Sequence, residues 1–94
     1  MPVTEQEAKV LIALKEKTEL PMSKIRDAAG IGSPGAVQLA VSKLVATGLL
    51  EERFESVFPR RHTVRLTRFG LKAAEHLQQI EEQLEMAKKL AKPT

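Results

Sequence analysis

The chain has no cysteine, no tryptophan and no tyrosine, and its only aromatics are three Phe among 94 residues. Without cysteine there is neither a disulfide framework nor a thiolate metal site, and a reducing compartment is expected. With so few aromatics the core has to be assembled from Leu, Ile, Val and Ala, which a 43% hydrophobic content allows. No apolar run approaches the ~20 residues that a membrane span needs. The opening MPVTEQEAKV also lacks a signal-peptide pattern, so a cytoplasmic protein with no membrane partner is expected. His62 and His76 have no cysteine and no close third ligand, which argues against a metal site. No Ser, His and acid set stands at a recognisable spacing, and no pair of carboxylates is placed for acid-base work. The Gly-rich GIGSPG follows no strand and is not succeeded by Lys-Ser or Lys-Thr, which makes it a poor phosphate loop. The expectation is therefore a non-enzyme that needs no cofactor.

What is present is charge in a particular place. Residues 1–20 carry three Lys and four Glu, and residues 69–94 carry four Lys and four Glu. Residues 21–68 carry eight basic against four acidic groups, so the middle holds the whole formal excess of +3. All six arginines (Arg26, Arg53, Arg60, Arg61, Arg65, Arg68) lie there as well. The planar guanidinium fork suits phosphate and guanine edges better than an ammonium does.

The length suits one domain, and the order of elements can be read from caps and periodicity. Thr4 followed by Glu7 is a capping box, with Ala8, Leu11 and Ile12 at helical spacing behind it, so a first helix is expected over about 5–17. Val10 and Leu14 form a second apolar stripe there, which points to burial on two sides, one of them against another subunit. MSKIRDAAG gives a short helix with Ile25 and Ala28 or Ala29 inward, stopped by Gly30. In IGSPGAVQLAVSKLVATG, Ser33 is the N-cap, Pro34 takes the first helical position and Gly48 closes the end. Val37, Val41, Leu44 and Val45 face inward, leaving Gly35, Gln38, Leu39, Ser42 and Lys43 outside.

LLEERF and HTVRLT read as two strands paired in a hairpin, with Leu50 and Val64 or Leu66 inward. Cross-strand ion pairing with Glu51, Glu52 or Glu55 is expected for at least one of Arg53 and Arg65. The ordinary preference of Phe for burial places Phe54, Val57 and Phe58 at the hairpin base against the preceding helix. Thr67 caps a last helix from Arg68 to about Lys92, roughly 36 Å long. Gly70, Ala73, Leu77, Ile80, Leu84, Ala87 and Ala91 alternate spacings of three and four along it, as in a coiled-coil seam. Such a seam either pairs with a second copy or folds back over the first helix of its own chain.

Helix, short helix, turn, longer helix, basic hairpin and helix is the order of a winged helix-turn-helix: mainly α with a small β-hairpin and a long C-terminal dimerisation helix. VSKLVATGLLEE and PRRHTVRLTRFG resemble the signatures of small transcriptional regulators of the MarR and PadR kind. The RR…RLT of the second segment is the closer match to the PadR-like form, since Pro59 stands where MarR-type wings carry an Asp. The resemblance spans about residues 8–76. It implies a DNA-binding domain over 1–67, a dimerisation helix over 68–94, one structural domain overall and a homodimer on double-stranded DNA. It places Ser33 to Lys43 in the major groove, hence Ser33, Gly35, Gln38, Leu39, Ser42 and Lys43 at the interface. Arg60 or Arg61 would then lie at the minor groove, with His62 near phosphate. Gln38, able to pair bidentately with adenine, is the first choice for a base reader. A solvated face is the plain alternative for Gln38 and Ser42. Dimerisation is assigned to Val10 and Leu14 on the first helix and to Leu77, Ile80, Leu84, Ala87 and Ala91 on the last. The competing reading is a protein-protein interaction module in a transcription or replication assembly, with the winged helix as scaffold.

Overall fold

A computed structural model describes residues 3–91. Helix α1 (Glu5–Lys17) starts where it does for a local reason: Thr4 is in extended backbone and its Oγ1 accepts the Glu7 N–H at 3.2 Å. Glu5 and Glu7 in the first turn and Lys15 and Lys17 in the last complement the helix dipole. The short strand β1 (Glu19–Pro21) leads into α2 (Met22–Ala29). Gly30 ends that helix with φ 71°, a left-handed conformation that a Cβ would strain. The Ile31 N–H then returns to the Arg26 carbonyl at 3.0 Å. In α3 (Pro34–Ala46) the Ser33 Oγ accepts the Ala36 N–H at 3.4 Å, and Pro34 sits in the first turn, where its missing N–H costs nothing.

Strands β2 (Leu50–Phe54) and β3 (His62–Leu66) form the expected antiparallel hairpin, with Leu50 opposite Leu66 and Phe54 opposite His62. The third strand is new. β1 pairs with the other edge of β3, Leu20 opposite Val64, so the sheet order is β1-β3-β2. Three residues ending in proline carry no alternation, and Pro21 has no N–H to give a ladder. β1 exists because β3 offers it an edge.

Helices α1, α2 and α3 enclose the core with one face of this sheet. Val10, Leu11, Leu14, Ile25, Val41, Leu44, Leu50 and Val64 are almost completely buried. This corrects the expectation for Val10 and Leu14. Both are 0% exposed inside the chain's own core and have no surface to offer a second subunit. Helix α1 needs two apolar stripes because it is packed against α2, α3 and the last helix at once.

That last helix, α4 (Arg68–Leu90), is capped by Thr67, whose Oγ1 accepts the Gly70 N–H at 3.1 Å. Its expected end at Lys92 lies outside the described residues. The seam divides in two. Gly70 is buried against the backbone of Leu49, Ala74 is buried and Ala73 and Leu77 are half-buried along the part of α4 that packs on the domain, and Lys15 Nζ of α1 donates to Gln78 Oε1. Beyond it Ile80, Leu84, Ala87 and Ala91 are exposed, as are Met86 and Leu90. The fold-back expectation therefore holds for the first half, which packs against α1, while the side chains of the second half are exposed.

Phe54, Val57 and Phe58 do not pack at the hairpin base. They are 67%, 75% and 90% exposed, because Leu50 and Val64 already fill the space beneath the sheet and the turn carries the other side chains beyond it.

Candidate nucleic-acid interface

The outer face of α3 matches the expectation. Gly35, Gln38, Leu39, Ser42 and Lys43 are all exposed, opposite the buried Val37, Ala40, Val41 and Leu44. A stripe at this spacing is what a helix needs to keep one side in the core while it presents the other to a groove. The first turn of α3 has few free donors. Ser33 Oγ already takes the Ala36 N–H, and Pro34 has no N–H, which leaves the Gly35 N–H and the Ser33 hydroxyl proton for an anion.

Opposite this turn stands the wing. Residues 55–61 connect β2 to β3, and the Glu55 N–H donates to the Arg61 carbonyl at 2.9 Å, tying off the loop at its base. Arg60 and Arg61 are both exposed. A cleft of ≈ 860 Å³ runs between the wing and the helix-turn-helix, lined by Arg26 from α2, Gln38 from α3 and Arg60 and Arg61 from the wing. Met22, Pro34 and Val37 contribute its apolar lining. Arg26 is the residue that sequence reasoning missed. It was visible only as one of six arginines in the basic middle segment, and it takes the packing of α2 beside α3 to turn it toward the wing.

The charges sort themselves by position. Arg65 pairs with Glu51, its cross-strand neighbour in the register, as expected for one of the two strand arginines. Among the described residues no carboxylate forms an ion pair with Arg26, Arg53, Arg60 or Arg61. The three guanidinium groups on the cleft are thus uncompensated by protein, and no acidic side chain lines it.

His62 departs from the expectation of a phosphate contact. Its Nε2 lies 3.0 Å from Glu52 Oε1, and its ring stacks on Phe54 with centroids 4.1 Å apart. The ring is held by neighbours on the hairpin rather than offered to an anion. Glu52, Gln38 and Ser42 border the same small recess beside it, so the contact with His62 also engages a carboxylate next to the outer face of α3.

Among the described residues no group of three or more His, Asp or Glu is placed to hold a metal ion, and no helix is long and apolar enough to cross a membrane.

No protein-family model matches the sequence, and comparison with curated proteins gives no match. Solved structures do match. BpsR of Bordetella bronchiseptica, whose DNA binding is regulated by 6-hydroxynicotinic acid, aligns over 90% of this chain and 64% of its own, with TM-score 0.81 and 24% identity. A MarR-family transcriptional regulator from Silicibacter pomeroyi aligns over 97% of this chain and 61% of its own, with TM-score 0.78 and 20% identity. A mutant of Lactococcus lactis ZitR aligns over 94% of this chain and 60% of its own, with TM-score 0.76 and 28% identity. The chain spans about three fifths of the length of these structures. Helix order, the three-stranded antiparallel sheet and these likenesses agree: the chain is a winged helix-turn-helix protein with the MarR-type fold.

Proposed function

We propose that the protein binds double-stranded DNA as a homodimer and regulates transcription. The observation that carries this reading is the cleft between wing and helix-turn-helix, where Arg26, Arg60 and Arg61 converge without a carboxylate beside an exposed Gln38. Phosphate is the counter-charge such a cluster fits. In this reading α3 lies in the major groove, with Gln38 reading a base and Ser33, Gly35 and Lys43 setting register. Leu39 and Ser42 complete the face, and the wing arginines follow the adjacent minor groove. BpsR, with the same fold, is a DNA-binding protein, and that likeness supports the reading.

The dimer is assigned to the free half of α4. Ile80, Leu84, Ala87 and Ala91 form an apolar stripe that is exposed among the described residues. An antiparallel pair that layers Leu84 against Ala87 of the second copy brings Glu81 to its Lys88. The gain from that pairing is small, about 0–1 kcal/mol for exposed groups, and Lys88 has a competing partner in Glu85 at 3.6 Å on its own helix. Apolar burial, not charge, is the main drive. Two-fold symmetry would set the recognition helices about 34 Å apart, one turn of DNA, and so calls for a palindromic site.

The test is a salt titration of duplex binding. Replacing Arg60 and Arg61 with Ala is expected to weaken binding to all duplexes and to reduce the log-log salt slope by about 0.9 for each lost phosphate contact. An unchanged slope removes the wing from the interface. A second reading, a protein-protein module, is favoured by the bare half of α4; it predicts a wild-type chain with no salt-dependent affinity for duplex DNA.

A further inference from the structure

The tip of the wing has a feature that phosphate contact does not use. Phe58 is 90% exposed and Val57 75% exposed, side by side on a loop whose ends are tied by the Glu55 to Arg61 hydrogen bond of 2.9 Å. Phe54 at the loop's entry has His62 to stack on, whereas Phe58 has no aromatic partner. Val57 and Phe58 together form an exposed apolar point, and exposed apolar surface rimmed by polar groups is the kind that marks an interaction site. Its surroundings narrow the choice of cover. Arg53 precedes the tip, Arg60 and Arg61 follow it, and none of the three has an ion-pair partner among the described residues. Glu55 is the one carboxylate in the loop.

An apolar point within a collar of guanidinium groups is complementary to the minor groove of a duplex. The groove's two rims are phosphates, which the arginines meet. Its floor is a stack of base edges, and an apolar wedge can enter between two of them and partly unstack the step. We infer that Phe58, with Val57 beside it, is such a wedge and opens a base step in the minor groove next to the site of α3. This rests on the DNA-binding reading and adds to it a source of specificity. Pyrimidine-purine steps unstack most readily, so the wing selects them by deformability without touching a base edge through hydrogen bonds.

The experiment uses the full chain and short duplexes selected by it from a random pool, with 2-aminopurine placed in turn at each adenine of a pyrimidine-purine step. Binding is expected to brighten the probe at one step per half-site. Phe58→Ala abolishes the brightening and weakens binding about ten- to a hundredfold, the range for one buried Phe side chain. The salt slope stays unchanged, since no phosphate contact is lost. Phe58→Leu, which keeps an apolar wedge, retains most of the signal. Because Phe58 is 90% exposed, neither substitution removes core packing. Duplex binding without brightening at any step overturns the wedge and leaves the DNA-binding reading intact. Brightening that persists in Phe58→Ala also overturns it. If instead Phe58→Ala lowers the oligomeric state on size exclusion, the tip is covered by a second copy and the inference fails. A wild-type chain with no salt-dependent duplex binding fails the broader reading, and the wedge with it.

Discussion

A Cβ added to Gly70 would lie 1.9 Å from the carbonyl oxygen of Leu49 and 2.9 Å from its carbonyl carbon. The first turn of α4 therefore rests directly on the backbone of the turn between α3 and β2. Thr67 makes the same junction from its side, with its N–H on the Leu49 carbonyl at 3.1 Å and its Oγ1 donating to the Gly48 carbonyl at 2.7 Å. The direction in which α4 leaves the domain is set at this contact, and so is the position of its free half relative to α3.

Gly70→Ala tests that junction. Helix propensity alone favours Ala by about 0.5–1 kcal/mol. Here the added methyl meets backbone, which cannot rotate away, and overpacking of this kind costs about 1–3 kcal/mol or more. The steric term wins. A urea titration is expected to show a lower midpoint with an unchanged slope; a midpoint equal to or above the wild type refutes the contact.

Arg26→Ala is expected to behave as a wing arginine does, although it sits on α2. Binding weakens on selected and random duplexes alike, and the salt slope falls by about 0.9. Thermal stability is unaffected, since Arg26 is exposed and has no ion-pair partner among the described residues. A slope identical to wild type would place Arg26 out of reach of phosphate.

Gln38→Ala separates reading from positioning. It is expected to cost roughly 1–3 kcal/mol on a selected site and almost nothing on random duplex. Binding measured on both gives the answer, because equal losses would make Gln38 a positioning residue only.

The double variant Ile80→Glu with Leu84→Glu addresses assembly. The two side chains are 47% and 55% exposed in the single chain, so the fold and its circular dichroism are expected to persist. Charges placed in a dimer seam are expected to yield a monomer on size exclusion and to abolish protection of a palindromic site. An unchanged oligomer would move the interface elsewhere.

Much of this protein is legible in its sequence because the interactions concerned are local. Thr4, Ser33 and Thr67 each accept from an N–H three residues on, and Gly30 supplies a left-handed turn that its own lack of a side chain permits. Such features depend on a handful of consecutive residues, so the helix starts and the stop at Gly30 follow from the chain alone. The outward face of α3 follows too, since helical periodicity assigns each residue to one side or the other.

Tertiary structure decided what depends on distant partners. β1 forms only because Leu20 meets Val64, far along the chain, and its three residues hold no pattern of their own. Val10 and Leu14 are core rather than interface because α1 is surrounded, and a stripe of apolar residues does not say which body will cover it. For the same reason the seam of α4 could not show that its first half belongs to α1 while its second half remains bare. Arg26 reaches the cleft through the packing of α2 beside α3, and Phe58 is left in solvent because Leu50 and Val64 had already filled the base of the sheet. Local hydrogen bonds are settled by neighbours in sequence, whereas burial is settled by competition among all side chains for one small interior.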